Sequence, residues 1–371
     1  MISGGGTGGH VYPALAVVQS LNRLCAEAHI RPKILWVGSV GGLEQQLVER
    51  AGLEIELIPA AGLRGKNPVA AAQGLWALLR GYRRSRQIIR WFEPDALFVT
   101  GGYVCVPVTI AAHQAGIASL IYLPDIEPGL AIKFLARFVD RVAVTTPETI
   151  KYFKPGLAVV TGYPVRSDLL DAPTVEAKAA ARQKLGLDAD LPVLLVFGGS
   201  QGARSINRAL TTEIERYLAV SQVVHISGKL DADDVLARRA ELAPEQQARY
   251  HVSAYLHEEM PLALRAADLV ISRAGASVLG EFPAAGLPAI LAPYPYAGTH
   301  QALNAHYLAR HGAAVVVEDA NLSGELYRIA IDLLTNKEKL HAMSEACRRL
   351  AKPDAAAHLA QEILEVKRDG N

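Results

Sequence analysis

The stretch Ser3-Gly4-Gly5-Gly6-Thr7-Gly8-Gly9-His10 decides the fold of the first half of the chain. It runs directly into residues 11–21, where apolar residues recur at helical spacing and Pro13 is expected in the first turn. Such a glycine-rich turn lets backbone N–H groups approach an oxygen-rich ligand at the positive end of the helix. His10 is expected beside that end, where an imidazole favours the neutral form that accepts a proton. Taken alone, the stretch is equally consistent with a tight turn that carries a surface histidine.

A second unit of the same kind begins near the middle of the chain. Residues 193–197 are typical of a buried strand, and Gly198-Gly199-Ser200-Gln201-Gly202-Ala203 forms the following turn. Ile206, Leu210 and Ile214 then mark one face of a helix. Two such copies predict an α/β protein with two Rossmann-like, doubly wound domains that face a central cleft. The length of 371 residues agrees with two domains.

Composition excludes several classes of protein. The formal net charge of +1 argues against a nucleic-acid binder, because such proteins need a basic face to neutralise phosphates. Cys25, Cys105 and Cys347 are too few and too scattered for a disulfide framework or a zinc site, which points to a reducing cytoplasm. We also expect no signal peptide, because the glycine loop begins at residue 4.

Two further segments invite a functional interpretation that the residues do not support. Residues 96–124 carry no formal charge, but glycine and proline divide them into a strand (96–100), a helix (106–115) and a strand (119–123) instead of a membrane span. The pairs Asp188/Asp190 and Asp231/Asp233 have the spacing of a metal site, yet both are expected in solvated loops. We therefore expect no metal.

The remaining elements alternate in the manner of a parallel sheet. Turn residues at 162–166 place the domain boundary at residue 163, which gives domains 1–163 and 164–371. The tail is expected to form two helices, at 323–334 and 355–366, and the last helix either stays in the second domain or packs back on the first.

A basic and aromatic segment spans residues 70–92. Five arginines alternate there with tryptophans and large aliphatic residues. A helix of this composition can lie on an anionic membrane surface with its rings at the headgroup level. It can equally be an amphipathic helix on the sheet with a cationic outer face, and the sequence leaves both interpretations open.

Eight segments, in order along nearly the whole chain, resemble the MurG family of bacterial glycosyltransferases. They are Gly4–His10, Gly62–Lys66, Gly101–Tyr103, Pro164–Arg166, Gly198–Ala203, Ser227–Lys229, Arg273–Glu281, and His300-Gln301 with Asn304. The resemblance implies a GT-B fold and a metal-independent, inverting transfer of N-acetylglucosamine from UDP-GlcNAc to the 4-hydroxyl of MurNAc in lipid I. It also implies that no cofactor is used and that the protein is peripheral on the cytoplasmic face of the cell membrane.

The resemblance also implies roles for individual residues. The donor-binding set is Thr7, Gly8, Gly9, Asp125, Arg166, Ser200, Leu256, Ala276, Ser277, Val278, Leu279, Gly280, Glu281 and Gln301. The acceptor-binding set is Gly5, Gly6, Gly101, Gly102 and Tyr103. Within the donor set, Ser200 would contact the diphosphate, Glu281 the ribose and Gln301 the sugar hydroxyls. Because the attacking hydroxyl must lose its proton, a base is needed on the acceptor side, and His10 is the candidate.

One segment departs from the family pattern. Where the family has His-Glu-Gln-Asn, this chain has Tyr122-Leu123-Pro124-Asp125, which places a carboxylate near the expected diphosphate. A GT-B transferase with another lipid or small-molecule acceptor, and a non-catalytic UDP-sugar sensor, therefore stay open. A Rossmann oxidoreductase is disfavoured on two counts: the loops lack a clear Gly-x-Gly-x-x-Gly motif with an acidic residue about 20 positions later, and the glycine loops occur twice.

Overall fold

The computed structural model describes residues 1–61, 68–170, 174–199, 202–256, 259–296 and 299–366, and the side chains of residues 68–71 are not described. The chain folds into two compact units. Met1–Arg166 and the tail from Lys352 form the first unit, and Ser167–Ala351 form the second. The chain thus changes units after Arg166 instead of residue 163, and the last helix belongs to the first unit.

The first unit is built on a parallel sheet. Within its described residues, seven strands follow the order β3-β2-β1-β4-β5-β6-β7. The strands are β1 (Ile2–Gly4), β2 (Leu35–Ser39), β3 (Glu54–Ile58), β4 (Ala96–Gly101), β5 (Ala118–Leu123), β6 (Arg141–Val144) and β7 (Ala158–Val160). The helices are α1 (Gly8–Glu27), α2 (Glu44–Arg50), α3 (Pro68–Phe92), α4 (Cys105–Ala115), α5 (Leu130–Leu135) and α16 (Ala355–Glu365).

The second unit repeats this plan. Its described residues form six parallel strands in the order β10-β9-β8-β11-β12-β13. The strands are β8 (Val193–Phe197), β9 (Gln222–Ile226), β10 (Tyr250–Ser253), β11 (Leu269–Ser272), β12 (Ala289–Leu291) and β13 (Ala314–Val316). The helices are α6 (Val175–Lys184), α7 (Arg204–Thr212), α8 (Ile214–Leu218), α9 (Ala232–Ala240), α10 (Pro244–Gln247), α11 (Met260–Ala266), α12 (Glu281–Ala285), α13 (His300–Arg310), α14 (Leu322–Thr335) and α15 (Lys337–Leu350).

In both sheets the strand order reverses beside the first strand. β1 lies between β2 and β4, and β8 lies between β9 and β11. Ligands of doubly wound folds bind at this reversal, outside the carboxyl ends of the strands. The central strands are buried on both faces because helices cover the sheet from each side, which accounts for the uncharged sequence of β4 and β5. The predicted fold class, two Rossmann-like, doubly wound α/β domains, is confirmed.

Three local predictions were wrong. Helix α1 begins at Gly8, so Pro13 lies in its second turn instead of its first. The helix predicted through Ile214 ends at Thr212, because the hydroxyls of Thr211 and Thr212 donate to carbonyls one turn back and weaken the helix there. Within residues 322–366 the tail forms three helices instead of two. Helix α15 was not predicted, although Asn336 caps it by accepting a hydrogen bond from the backbone N–H of Lys339 at 3.0 Å.

The uncharged segment 96–124 folds as β4, α4 and β5, as predicted. Among the described residues, no helix combines the length and the apolar character needed to cross a bilayer.

Candidate active site

His10 lies at the strand reversal of the first unit, where β1 leads into α1. The glycine loop turns sharply after Gly4, and Thr7 is the extended residue that precedes the helix. His10 is the third residue of α1 and is half-buried. This position confirms the predicted connection of strand, glycine loop and helix.

The tautomer of His10 follows from one hydrogen bond. Its Nδ1 lies 2.9 Å from the carbonyl oxygen of Gly5. A carbonyl oxygen only accepts, so Nδ1 carries the hydrogen and donates it. In the neutral imidazole, Nε2 then holds the lone pair and can accept a proton. The contact with Gly5 therefore selects the tautomer in which Nε2 is the acceptor of the neutral ring.

The loop after β4 lies against the same histidine. Gly101 and Gly102 have φ angles of +120° and +92°, a conformation that other residues rarely adopt. A Cβ atom on Gly101 would lie 2.9 Å from Nε2 of His10, and one on Gly102 would lie 2.5 Å from the carbonyl oxygen of Gly5. Glycine is thus required at both positions. Next to them, the side chain of Tyr103 is 49% exposed.

The backbone donors of the glycine loop divide into two groups. Gly5 donates to the carbonyl of Gly101 at 3.1 Å, and Gly6 donates to the Glu44 carboxylate at 3.0 Å. The N–H groups of Gly8 and Gly9 belong to the first turn of α1, which has no carbonyl of its own to offer them. Gly8 and Gly9 are therefore the better placed pair for a bound anion.

The segment that departs from the family pattern, Tyr122–Asp125, covers the last two residues of β5 and the two residues after it. Tyr122 is fully buried, and its hydroxyl lies 2.9 Å from the hydroxyl oxygen of Thr145. Burial raises the pKa of Tyr122 well above its usual value, so the residue serves the core. Asp125 is half-buried and follows the carboxyl end of β5, on the same edge of the sheet as the glycine loops. Arg166, also half-buried, is the last residue of the first unit before the chain enters the second unit.

In the second unit, the predicted donor residues follow the carboxyl ends of parallel strands. The glycine loop from Gly198 follows β8, Leu256 follows β10 and residues 273–280 follow β11. Carboxyl ends of parallel strands share one edge of a sheet, so the fold brings these segments to the same side. Ser200 and the predicted cationic loop Gly62–Lys66 lie outside the described residues.

Arg273 fixes the loops on this edge. Its guanidinium donates to Asp319 at 2.5 Å, to the hydroxyl of Ser205 at 2.7 Å and to the carbonyl of Ala292 at 3.0 Å. Because Ser205 lies in the first turn of α7, Arg273 ties the loop after β11 to the helix that the glycine loop opens. Its role among these contacts is to hold the loops.

The remaining donor candidates lie on the next two elements. Ala276–Leu279 form a short 3-10 helix, and Glu281 begins the separate helix α12. Gln301, on α13, accepts a hydrogen bond from the backbone N–H of Tyr294 at 2.9 Å, so its Nε2 is the atom that can donate to a ligand. Buried Asn304 donates to the carbonyl of Ala274 at 3.1 Å and holds α13 beside this loop.

Comparison with known proteins decides the family. Residues 193–359 match the glycosyltransferase family 28 C-terminal domain, and residues 1–144 match the glycosyltransferase family 28 N-terminal domain. This chain belongs to glycosyltransferase family 28.

Its relatives match over nearly the full length. A protein of Roseiflexus sp. (strain RS-1) is 42% identical over 98% of this chain and 94% of its own length. A protein of Bacillus subtilis (strain 168) is 36% identical over 99% of both. Both are named UDP-N-acetylglucosamine--N-acetylmuramyl-(pentapeptide) pyrophosphoryl-undecaprenol N-acetylglucosamine transferase. A crystal structure of Acinetobacter baumannii MurG superposes with a TM-score of 0.73 at 28% identity, with 98% of each chain covered. The resemblance to the MurG family is confirmed.

One buried hydrogen-bond network in this glycosyltransferase was not predicted from the sequence. Under the second glycine loop, His225 is completely buried, and its Nε2 lies 2.9 Å from Oδ1 of Asn207. Asn207 uses its Nδ2 to donate to Asp231 and to the carbonyl of Ser227, both at 2.8 Å. Its Oδ1 therefore accepts from His225, whose Nδ1 accepts in turn from the hydroxyl of Tyr250 at 2.8 Å.

This network corrects the prediction for Asp231. The residue is buried and paired with Arg204 at 2.9 Å instead of lying in a solvated loop. It anchors the first turn of α7 to the end of β9. Among the described residues, no group of three His, Cys, Asp or Glu side chains could hold a metal ion.

Proposed function

We propose that this chain transfers N-acetylglucosamine from UDP-GlcNAc to the 4-hydroxyl of MurNAc in lipid I, which yields lipid II for peptidoglycan synthesis. The near-full-length match to relatives named for this transfer supports the substrates. The first domain binds the acceptor, and the second binds the UDP-sugar.

His10 is the general base in this proposal. The acceptor oxygen attacks the anomeric carbon from the face opposite UDP, and its proton passes to Nε2 of His10. A new bond forms between that carbon and the 4-oxygen, while the bond to the UDP oxygen breaks and UDP leaves with the electron pair. The configuration inverts because attack and departure occur on opposite faces. The observation that carries this role is the 2.9 Å hydrogen bond from Nδ1 to Gly5, which leaves Nε2 able to accept.

The donor side supplies charge stabilisation without a metal. As UDP leaves, charge builds on its diphosphate, and a helix N-terminus stabilises such charge. Helix α7, with Ser200 in the loop before it, takes this role. Leu256 and residues 276–280 hold the uracil, Glu281 the ribose and Gln301 the sugar hydroxyls. Thr7, Gly8, Gly9, Asp125 and Arg166 complete the donor set from the first domain.

The acceptor side uses the two loops that meet at His10. Gly101, Gly102 and Tyr103 lie beside it, and Gly5 and Gly6 form the wall of the site. The exposed ring of Tyr103 offers a surface for the acceptor next to the base.

In this proposal, the protein binds the cytoplasmic membrane surface through the outer face of α3, close to lipid I, whose hydrocarbon chain is held in the bilayer. Leu75, Trp76 and Leu79 are 54%, 56% and 48% exposed in the first half of the helix. Arg80, Arg83, Arg86 and Arg90 are exposed further along. Exposed apolar side chains next to a row of arginines suit a surface of anionic lipids. The opposite face, with Ser85 and Ile88, is buried on the sheet.

The test is UDP release by the purified protein with UDP-GlcNAc, in the presence and absence of lipid I. We expect release that depends on lipid I. Binding of UDP-GlcNAc without release would indicate a sensor. Turnover only with another acceptor or another UDP-sugar would show that the Tyr122–Asp125 segment marks a different specificity.

A further inference from the structure

Glu44 is a buried carboxylate beneath the first glycine loop. Glu44 is the first residue of α2, and its buried carboxylate accepts hydrogen bonds from three donors. Oε2 accepts from the backbone N–H of Gly6 at 3.0 Å, while Oε1 accepts from the N–H and the hydroxyl of Ser39 at 2.7 and 2.5 Å. Buried carboxylates are rare unless hydrogen bonds satisfy their oxygens, and the three donors around Glu44 provide such hydrogen bonds.

Glycines make the space for this carboxylate. A Cβ atom on Gly5 or Gly42 would lie 2.3 Å from an oxygen of Glu44, and one on Gly38 would lie 3.0 Å from its Cγ. Any side chain at Gly5 or Gly42 would therefore displace Glu44. Three chain segments thus surround one acidic group.

The carboxylate is ionised. Burial raises the pKa of Glu44, but hydrogen bonds from Ser39 and Gly6 outweigh that effect and hold the pKa below its usual value of 4.5. As a carboxylate, Glu44 only accepts hydrogen bonds, which matches the three donors that face it.

The contact to Gly6 reaches His10 through a single peptide group. The N–H of Gly6 and the C=O of Gly5 belong to the same planar unit and point in opposite directions. Glu44 holds the N–H, and Nδ1 of His10 donates to the C=O at 2.9 Å. Glycine lies on both sides of this peptide group, and glycine backbone dihedrals are permissive. The peptide plane could therefore rotate easily if Glu44 did not hold its N–H.

We infer that Glu44 is a positioning residue that, through the Gly5–Gly6 peptide, holds His10 with its proton on Nδ1 and Nε2 turned to the acceptor hydroxyl. The inference rests on the proposed base role of His10. Glu44 itself contacts no substrate in this scheme.

The test compares Glu44→Gln with Glu49→Gln, a matched change at an exposed position of the same helix. In either orientation, an amide at residue 44 turns an NH₂ group toward a backbone N–H. We expect Glu44→Gln to lower kcat on the order of 10- to 100-fold, with little change in the Kd for UDP. Gly42→Ala, which displaces Glu44 from the other side, should lower kcat in the same way, and Glu49→Gln should behave as wild type.

A double mutant separates positioning from general damage. If Glu44 acts through His10, adding Glu44→Gln to His10→Ala lowers kcat less than about twofold further. An equal loss in both backgrounds, or a Glu44→Gln variant as active as wild type, overturns the inference. Imidazole ¹⁵N shifts of His10 provide a readout that needs no turnover. They should report Nδ1–H in wild type and a mixture of tautomers in Glu44→Gln. If wild type releases no UDP with lipid I while these shifts behave as expected, the proposed function fails and the positioning role stands.

Discussion

His225 is a histidine that the fold keeps neutral. Burial lowers its pKa to about 3, and both ring nitrogens are used by Asn207 and Tyr250. In the unfolded chain the same group titrates near its usual 6.5. Between these two values the unfolded state binds one proton more than the folded state, so the free energy of unfolding falls as the pH falls.

As the pH falls from 6 to 4, we expect His225 to lower the free energy of unfolding by about 1.4 kcal/mol per pH unit. Denaturant unfolding at several pH values measures the slope. His225→Gln should reduce the slope by one proton, whereas His358→Gln, a change at an exposed position of α16, should leave it unchanged. Equal slopes in wild type and His225→Gln would contradict the assignment.

Sequence predicts best the position of a residue whose signals lie within a short segment. The position of His10 at the start of α1 was predicted because the glycine loop and the helix that follows it are local signals. Glu44 and Asn207 were missed because their partners are distant in sequence: Gly6 lies 38 positions from Glu44, and His225 lies 18 from Asn207. Only the folded sheet brings such pairs together, so spacing along the chain carries no trace of them.

At the scale of elements, α3 packs closely against the loop after β3. A Cβ atom on Gly81 would lie 2.3 Å from the carbonyl oxygen of Pro59, a backbone atom that cannot move alone. We expect Gly81→Ala to destabilise the first unit by about 1 to 3 kcal/mol. Gly324, in α14, has open space at this position, so Gly324→Ala should stabilise by about 0.5 to 1 kcal/mol through helix propensity. Thermal unfolding measures both, and a tolerated Gly81→Ala would contradict the packing.

The exposed apolar and basic residues on the outer face of α3 predict binding to anionic vesicles. We expect the protein to float with vesicles that contain phosphatidylglycerol and not with neutral vesicles. Trp76→Ser with Leu79→Ser should reduce flotation strongly, because the apolar anchor is lost. Leu364→Ser removes an exposed leucine of α16 and serves as the control. Undiminished flotation of the double variant would remove α3 from the membrane role.

Sequence patterns predicted elements with strong periodicity and missed weaker ones. The buried strand β8 was predicted at its observed bounds, because its apolar run ends at Gly198. Helix α15 was missed because its apolar face is narrow, with only Met343, Ala346 and Cys347 buried. Strand β13 spans three residues, which is too short for alternation to be recognised.

At the scale of the whole molecule, the two parallel sheets followed from the repeated glycine loops. The sequence left open whether the last helix stays in the second domain or returns to the first, because the return depends on contacts between α16 and α1 from opposite ends of the chain. The same two-unit plan also appears in solved structures of low identity, including a UDP-GlcNAc 2-epimerase from Neisseria meningitidis at 12% identity and a TM-score of 0.70. The fold alone therefore does not specify the reaction, and the residues at the strand reversals must do so.

The most direct test of glycosyl transfer by this chain is therefore the turnover of His10→Ala with UDP-GlcNAc and lipid I, measured together with its affinity for UDP. His358→Ala is the control on the surface of the same unit. Loss of a general base predicts a fall in kcat of roughly 10²- to 10⁴-fold. The Kd for UDP should stay within about twofold, because the proposed nucleotide site lies at the α7 helix start and the loop after β11, not at His10. A His10→Ala variant that keeps wild-type turnover would contradict the account.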